Sequence, residues 1–339
     1  MKLKILLTFD YELYFGKNHM CEYEVLIKPT KKLIDIARKH NIKLVFFIDI
    51  CSLFAYERYN RNKYINNFIM QVKYMKEMGH DIQMHFHPHW MDSVYNESSH
   101  EWQHKYHNWS YSNMVDNLGV KKANNFFELA QAKFIDIVGK RPIAFRAGGY
   151  TIQPNEKELI DILKKYDYKY DSSVVPLRKF ISSAQNFDYM KSPLANSWQI
   201  GQKCFLETGN NGIVEIPIFA LKKNTFLTMK YAFLKFINKI FKKNILIKRG
   251  QGATLNEYIS RSDSYSFSFD MALNQDKKNI KLLVDEYIKK YGCGDGDKVI
   301  LNILSHPKAL FDESLEVLEW FIVYMNKNYD CSFVGFEEL

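Results

Sequence analysis

Four of the chain's ten histidines fall within ten residues: His80, His85, His87 and His89. Neutral imidazole is the commonest protein ligand for zinc-like ions, and packing alone rarely calls for such crowding. The run therefore nominates a metal site, and two arrangements of it are open. On a strand, His85, His87 and His89 share one face; on a turn or first helical turn, His85 and His89 come together. Pro88 has no N–H to give a strand ladder, so the strand is expected to finish near His85. That favours His85 and His89 as the ligand pair, with His87 turned away and His80 structural. The competing reading is a polar loop whose histidines face water.

Chemistry at such a run depends on elements that carry other groups to it. Lys2–Phe9 has β character and ends in the polar cluster Asp10, Tyr11, Glu12. Helical spacing is expected over Pro29–His40, 61–78, Lys121–Val138, Glu156–Lys165 and Lys278–Lys290. Between these lie short apolar runs at Ile42–Ile48, Asp81–Met84, Pro142–Arg146, Tyr168–Asp171 and Lys298–Leu304. A last helix is expected from Asp312, whose carboxylate can cap it. Strands alternating with amphipathic helices predict an α/β fold with a mostly parallel sheet or barrel, in which strand C-terminal ends collect the chemistry. Asp10, His85, Arg146 and His306 fall at such ends. Residues 91–120 and 177–275 interrupt the rhythm and read as insertions.

The 339 residues, 47% of them hydrophobic, can bury a substantial core. Five scattered cysteines without a C-x-x-C argue against a disulfide framework and fit a reducing compartment. The first apolar run is too short for a signal-peptide core and no later one is suited to span a bilayer, so the cytoplasm is the expected address.

Leu7-Thr-Phe-Asp10, Gly79-His80 with His85 and His89, Phe145-Arg146-Ala-Gly-Gly-Tyr150 and Leu304-Ser-His306 resemble, in order, motifs of the polysaccharide deacetylases, the NodB-like carbohydrate esterases. Tyr170-Asp171-Ser-Ser173 is similar to that family's remaining Asp-containing motif. The resemblance covers roughly residues 1–175 and 298–339. It implies an irregular (β/α) barrel of seven strands, as one domain over 1–339 with the two insertions. It implies Asp10 as catalytic base, His85 and His89 as metal ligands, Arg146 as the partner that orients the base, His306 as general acid and Asp171 as its support. Gly149, Tyr150 and Trp90 are the substrate-facing candidates. Where the family pattern has a second aspartate as third ligand, this chain has Tyr11. Glu12, two places after the base, is the candidate replacement, and Asp10 itself is the other. The implied activity is metal-dependent removal of an acetyl group from an N-acetylated amino sugar, with Zn2+ favoured among divalent ions. An amidohydrolase acting on a small non-sugar amide is the alternative within the fold. A non-catalytic glycan- or lipid-binding protein on the same scaffold is the alternative from a different functional class.

The net charge of +9 is concentrated in one place. Residues 221–250 hold nine lysines and arginines, from Lys222 to Arg249, and no acid. Phe226, Met229, Phe233, Phe236, Ile237, Ile240 and Phe241 recur there at helical spacing. The pattern suits either an insertion helix packed on the barrel or peripheral contact of 222–249 with an anionic membrane, at the inner face of the plasma membrane. No nucleic-acid motif accompanies the charge, so no nucleic-acid partner is expected.

Overall fold

The computed structural model describes residues 2–16, 20–182, 184–241, 261–268, 270, 276–292 and 298–339. Its first strand, β1 (Lys2–Tyr11), buries Leu3, Ile5, Leu6, Leu7 and Phe9, which alternate across both faces. Apolar cover on both sides is what the interior of a parallel sheet demands, and β2 (Val45–Asp49) and β3 (Asp81–Phe86) are likewise buried throughout. The sheet is completed by β4 (Ala144–Ala147), β5 (Tyr170–Asp171), β6 (Trp198–Gln199), β7 (Val214–Glu215), β8 (Lys298–Ser305) and β9 (Cys331–Phe333). The order is β6-β7-β5-β4-β3-β2-β1-β8, with β9 beside the start of β1, and only the β6–β7 pair is antiparallel.

The sheet closes on itself. Just beyond β7, Phe219 donates its N–H to the carbonyl of Asn302 in β8 at 2.8 Å. The Asn302 amide donates in return to the carbonyls of Ile216, at 2.9 Å, and Pro217, at 3.2 Å. The sheet therefore curls into a distorted α/β barrel whose ring, β7-β5-β4-β3-β2-β1-β8, has seven strands, with β6 and β9 alongside it.

Helices α1 (Lys28–His40), α2 (Cys51–Arg58), α3 (Asn62–Glu77), α4 (Tyr111–Leu118), α5 (Val120–Val138), α6 (Glu156–Lys165), α7 (Thr225–Phe241), α8 (Lys277–Tyr291) and α9 (Asp312–Asn328) accompany the strands. Each presents an apolar stripe inward; α1 buries Leu33, Ile34 and Ala37. Leu33 and Ile34 each contribute about 1.5–3 kcal/mol by leaving water. Asp312 is the first residue of α9 rather than its cap, and its carboxylate meets Lys32 at 2.5 Å. No helix among the described residues is long and apolar enough to cross a membrane.

What matters for chemistry is the register. Asp49, His85 and Arg146 are direct neighbours across β2, β3 and β4, and Phe145 pairs with Asp171 of β5. Asp10 is the last residue but one of β1 and His306 follows β8 directly. Parallel strands thus deliver all these polar groups to the same end of the barrel.

Candidate metal and active site

Strand alternation sorts the cluster after β1. Tyr11 points into the core, where its hydroxyl donates to Gln71 Oε1 at 2.7 Å and its ring packs 5.0 Å from that of Phe68. Asp10 and Glu12 point the other way, toward His85 and His306. The position expected to carry a second aspartate is therefore a core position in this chain.

Arg146 is wholly buried and saturated with partners. Its Nη1 donates to Asp10 Oδ1 at 2.6 Å and its Nε to the Ser172 carbonyl at 2.8 Å. Nη2 donates to Ser172 Oγ at 2.8 Å and to Thr8 Oγ1 at 3.1 Å, and the guanidinium lies over the Phe47 ring. A guanidinium fixed on both edges holds Asp10 in one orientation. Oδ2 of Asp10 is left facing His306 Nε2 at 3.6 Å and His85 Nε2 at 3.8 Å.

Glu12, His85 and His87 form the one group of potential metal ligands among the described residues. Glu12 Oε2 lies 3.1 Å from His85 Nε2 and 2.8 Å from His87 Nε2. His85 donates its Nδ1–H to the Arg146 carbonyl at 2.9 Å, which fixes the ring and turns Nε2 toward the carboxylate. Burial pulls His85 down, yet Asp10, Glu12 and Asp49 outweigh it and hold the imidazole at about 9. Burial dominates at His87, which falls to about 4. For Glu12, burial pushes up, but Lys308, His87 and His85 together hold it well below the usual carboxylate range. Asp49 is raised by burial to about 7.

The three donors fit a divalent cation. With bonds of about 2.1 Å, a tetrahedral ion separates its ligands by about 3.4 Å, so the two spacings to Glu12, 3.1 and 2.8 Å, would open by about 0.3 and 0.6 Å. All three side chains are buried and the donor set, two imidazoles and a carboxylate, suits zinc-like ions.

The expected pairing of His85 with His89 is corrected here. His87 follows β3 directly with φ −115° and ψ 75°, and its side chain still lies on the face of His85, with Nε2 2.8 Å from Glu12 Oε2. Pro88 then opens a 3-10 turn over Pro88–Asp92 that carries His89 out of the group. His89 instead stacks on Trp109, 4.4 Å between ring centres, and on Trp90. Trp90 does not face a substrate either. It is fully buried and donates its Nε1–H to Asp49 Oδ2 at 2.7 Å.

His306 is also supported differently from the expectation. Asp171 accepts hydrogen bonds from the backbone N–H and hydroxyl of Ser173 and lies opposite Glu215, away from His306. The carboxylate beside His306 Nδ1 is Asp270, at 3.3 Å, which also accepts from Ser305 Oγ at 2.6 Å. Lys308 adds a cation, donating to Glu12 Oε1 at 2.7 Å and to the Leu13 carbonyl at 2.9 Å.

A cavity of about 150 Å³ opens over Asp10, Glu12, His87 and His306. Gly149, Tyr150 and Trp109 border it, so two of the three substrate-facing candidates do reach it. Gly149 has φ 58°, and a Cβ there would sit 2.3 Å from Trp109 Nε1 and from Gln185 Nε2. At Gly148 a Cβ would come within 2.7 Å of His87 Nδ1. Both glycines are thus required by close approach, one to keep the cavity open and one to seat His87.

The chain's sequence matches no family model and no curated protein. Its structure is similar, over 99% of its length and 88% of the other chain, to a Mycobacterium smegmatis protein assigned as a polysaccharide deacetylase, with 12% identity and TM-score 0.51. It is similar to the same degree, TM-score 0.51 and 11% identity, to an α-amylase from Thermotoga maritima, covering 100% of this chain and 74% of that one. A branching enzyme from Thermococcus kodakaraensis, also at TM-score 0.51 and 11% identity, is matched over 99% of this chain and 70% of that one. At these identities the likeness establishes a shared fold.

Proposed function

We propose that the protein is a metal-dependent hydrolase that removes an acetyl group from an N-acetylated amino sugar, in glycan biosynthesis. The reading rests on one observation: Glu12, His85 and His87 face the same small cavity as the Arg146-held Asp10 and the Asp270-supported His306. The fold is shared with glycan-cleaving enzymes as well as a deacetylase-like protein, so the side chains have to discriminate. A buried pair of imidazoles beside a carboxylate favours metal-assisted amide hydrolysis over glycosidic cleavage by two carboxylates.

Glu12, His85 and His87 would hold the cation, with Zn2+ the best match to the donors. When bound it would supply Lewis acidity for a carbonyl and acidify water. Asp10 Oδ2, its other oxygen tied to Arg146, takes the proton of the attacking water as the O–C bond forms. His306 Nε2, on the neighbouring side of the cavity, protonates the departing nitrogen as the C–N bond breaks. Acetate and a free amine leave. Asp270 positions His306 through Nδ1.

Two measurements on the purified full chain test this: its metal content and acetate release from N-acetylated amino-sugar oligomers. Stoichiometric metal and acetate release, both lost in His85→Ala and His87→Ala, are expected. Metal without acetate release transfers the reading to a small non-sugar amide, and absence of metal affinity refutes a hydrolase of this kind.

A further inference from the structure

Helix α7 is attached to the protein by one side only. Leu227 is buried and Tyr231 and Leu234 are half-buried, with Tyr231 packed 4.8 Å from the ring of Phe267. Phe226, Met229, Phe233 and Phe236 lie on another side, 63% to 76% exposed. Their spacing of three, four and three residues makes a single stripe along the helix. Four large apolar side chains held this far out in one row are unlike the scattered exposed leucines and valines of an ordinary surface.

The charge around the stripe selects what covers it. Exposed Lys230 flanks it, Lys235 lies beyond its other side, and exposed Lys222 and Lys223 precede the helix. From Ile216 to Asn256 the sequence has no acidic residue, and the basic run continues through Lys242, Lys243, Lys248 and Arg249, outside the described residues. An apolar protein partner or a second copy has no use for 41 residues free of negative charge. An anionic lipid surface uses both features at once: aromatic side chains enter the headgroup boundary while lysines remain at the level of lipid phosphates. We propose that α7 docks the protein on an anionic lipid surface.

The same helix stands close to the candidate site along the chain. Phe267, on which Tyr231 rests, pairs with Leu221 in the short ribbon beneath α7, and three residues later Asp270 meets His306. Docking through α7 would hold that end of the barrel near the lipid headgroups. The docking itself is independent of the reaction proposed above, and its test needs no activity.

The test is co-sedimentation of the full chain with phosphatidylcholine vesicles, with and without about a third phosphatidylglycerol. Pelleting with the anionic vesicles, weakened by salt, is expected, and each of Lys222, Lys223, Lys230 and Lys235 changed to Gln should lower partitioning about fivefold. Phe226→Ser with Phe233→Ser should abolish it while leaving the melting temperature unchanged, because both side chains are exposed. Pelleting that ignores anionic lipid or the lysines overturns the proposal. So does absence of vesicle binding together with a dimer in light scattering that Phe233→Ser dissociates, which would give the face to a second copy.

Discussion

Replacing Arg146 by Met tests how tightly the candidate base is built into the barrel. The substitution keeps most of the side-chain volume but removes four hydrogen bonds, to Asp10, Thr8 and twice to Ser172. Two of the abandoned groups have other partners: Thr8 still donates to the Ile303 carbonyl at 3.0 Å, and Ser172 Oγ still accepts from Asn302 at 2.9 Å. The Asp10 carboxylate, 1% exposed, keeps no cation at hydrogen-bond distance. Removing one partner of a buried ion pair typically costs about 3–5 kcal/mol. With an unfolding entropy of about 2 cal/mol/K per residue, a chain of 339 residues loses about 0.7 kcal/mol per degree, so Tm should fall by about 4–7 °C. Adding Asp10→Asn to Arg146→Met removes the stranded charge and should recover at least half of that loss, although neither variant would turn over substrate. Calorimetry of the wild type, both single variants and the double variant measures the coupling. Additivity of the two changes to within about 0.5 kcal/mol would refute the view that Arg146 acts through Asp10.

Three further outcomes are expected. His87→Ala should abolish metal binding measured by calorimetry, whereas His89→Ala, which removes a ring stacked between Trp109 and Trp90, should lower Tm and leave metal stoichiometry intact; the reverse pattern would return His89 to the ligand set. Asp270→Asn should lower kcat at least tenfold with little change in KM, since it withdraws a carboxylate from His306 Nδ1 while touching no residue of the metal group; an unchanged kcat would leave Asp270 a purely structural neighbour of Ser305. Glu215, fully buried opposite Asp171, has its carboxyl pushed well above the ordinary 4.5 by burial and then by Asp171. Because its folded-state value is raised, the folded chain keeps a proton that the unfolded chain loses above about pH 4.5, and this contribution to stability declines as pH rises toward the folded value. Glu215→Gln should therefore gain in Tm relative to wild type between pH 5 and pH 8, a trend that would be absent if the buried Glu215 carboxyl titrated at its ordinary value.

The repeating elements were legible because local pattern and burial agree. Glu156–Lys165 is helical over the residues that its apolar spacing marks, and β1, β2 and β3 lie within or beside the runs expected for them. The site was legible where it depends on strand alternation and opaque where it depends on tertiary delivery. Asp270 comes from an insertion, 36 residues before the histidine it meets, and nothing in its local pattern distinguishes it from other aspartates in loops. Asp171 has a motif-like setting, yet its carboxylate turns back onto its own Ser173. The histidine run was misassigned for a sharper reason. Pro88 does stop the ladder, but removing an N–H donor at residue 88 does not reset the direction of the residue before it. The alternation of side chains runs one step past β3. It places His87 on the face that already holds His85, and it gives Glu12 Oε2 two imidazoles at 3.1 and 2.8 Å instead of one. The same alternation on β1 sends Tyr11 to the core and returns Glu12 to the face of Asp10. A carboxylate two residues after the base can then do the work of one directly after it, because the strand, rather than the motif, decides which side chains meet.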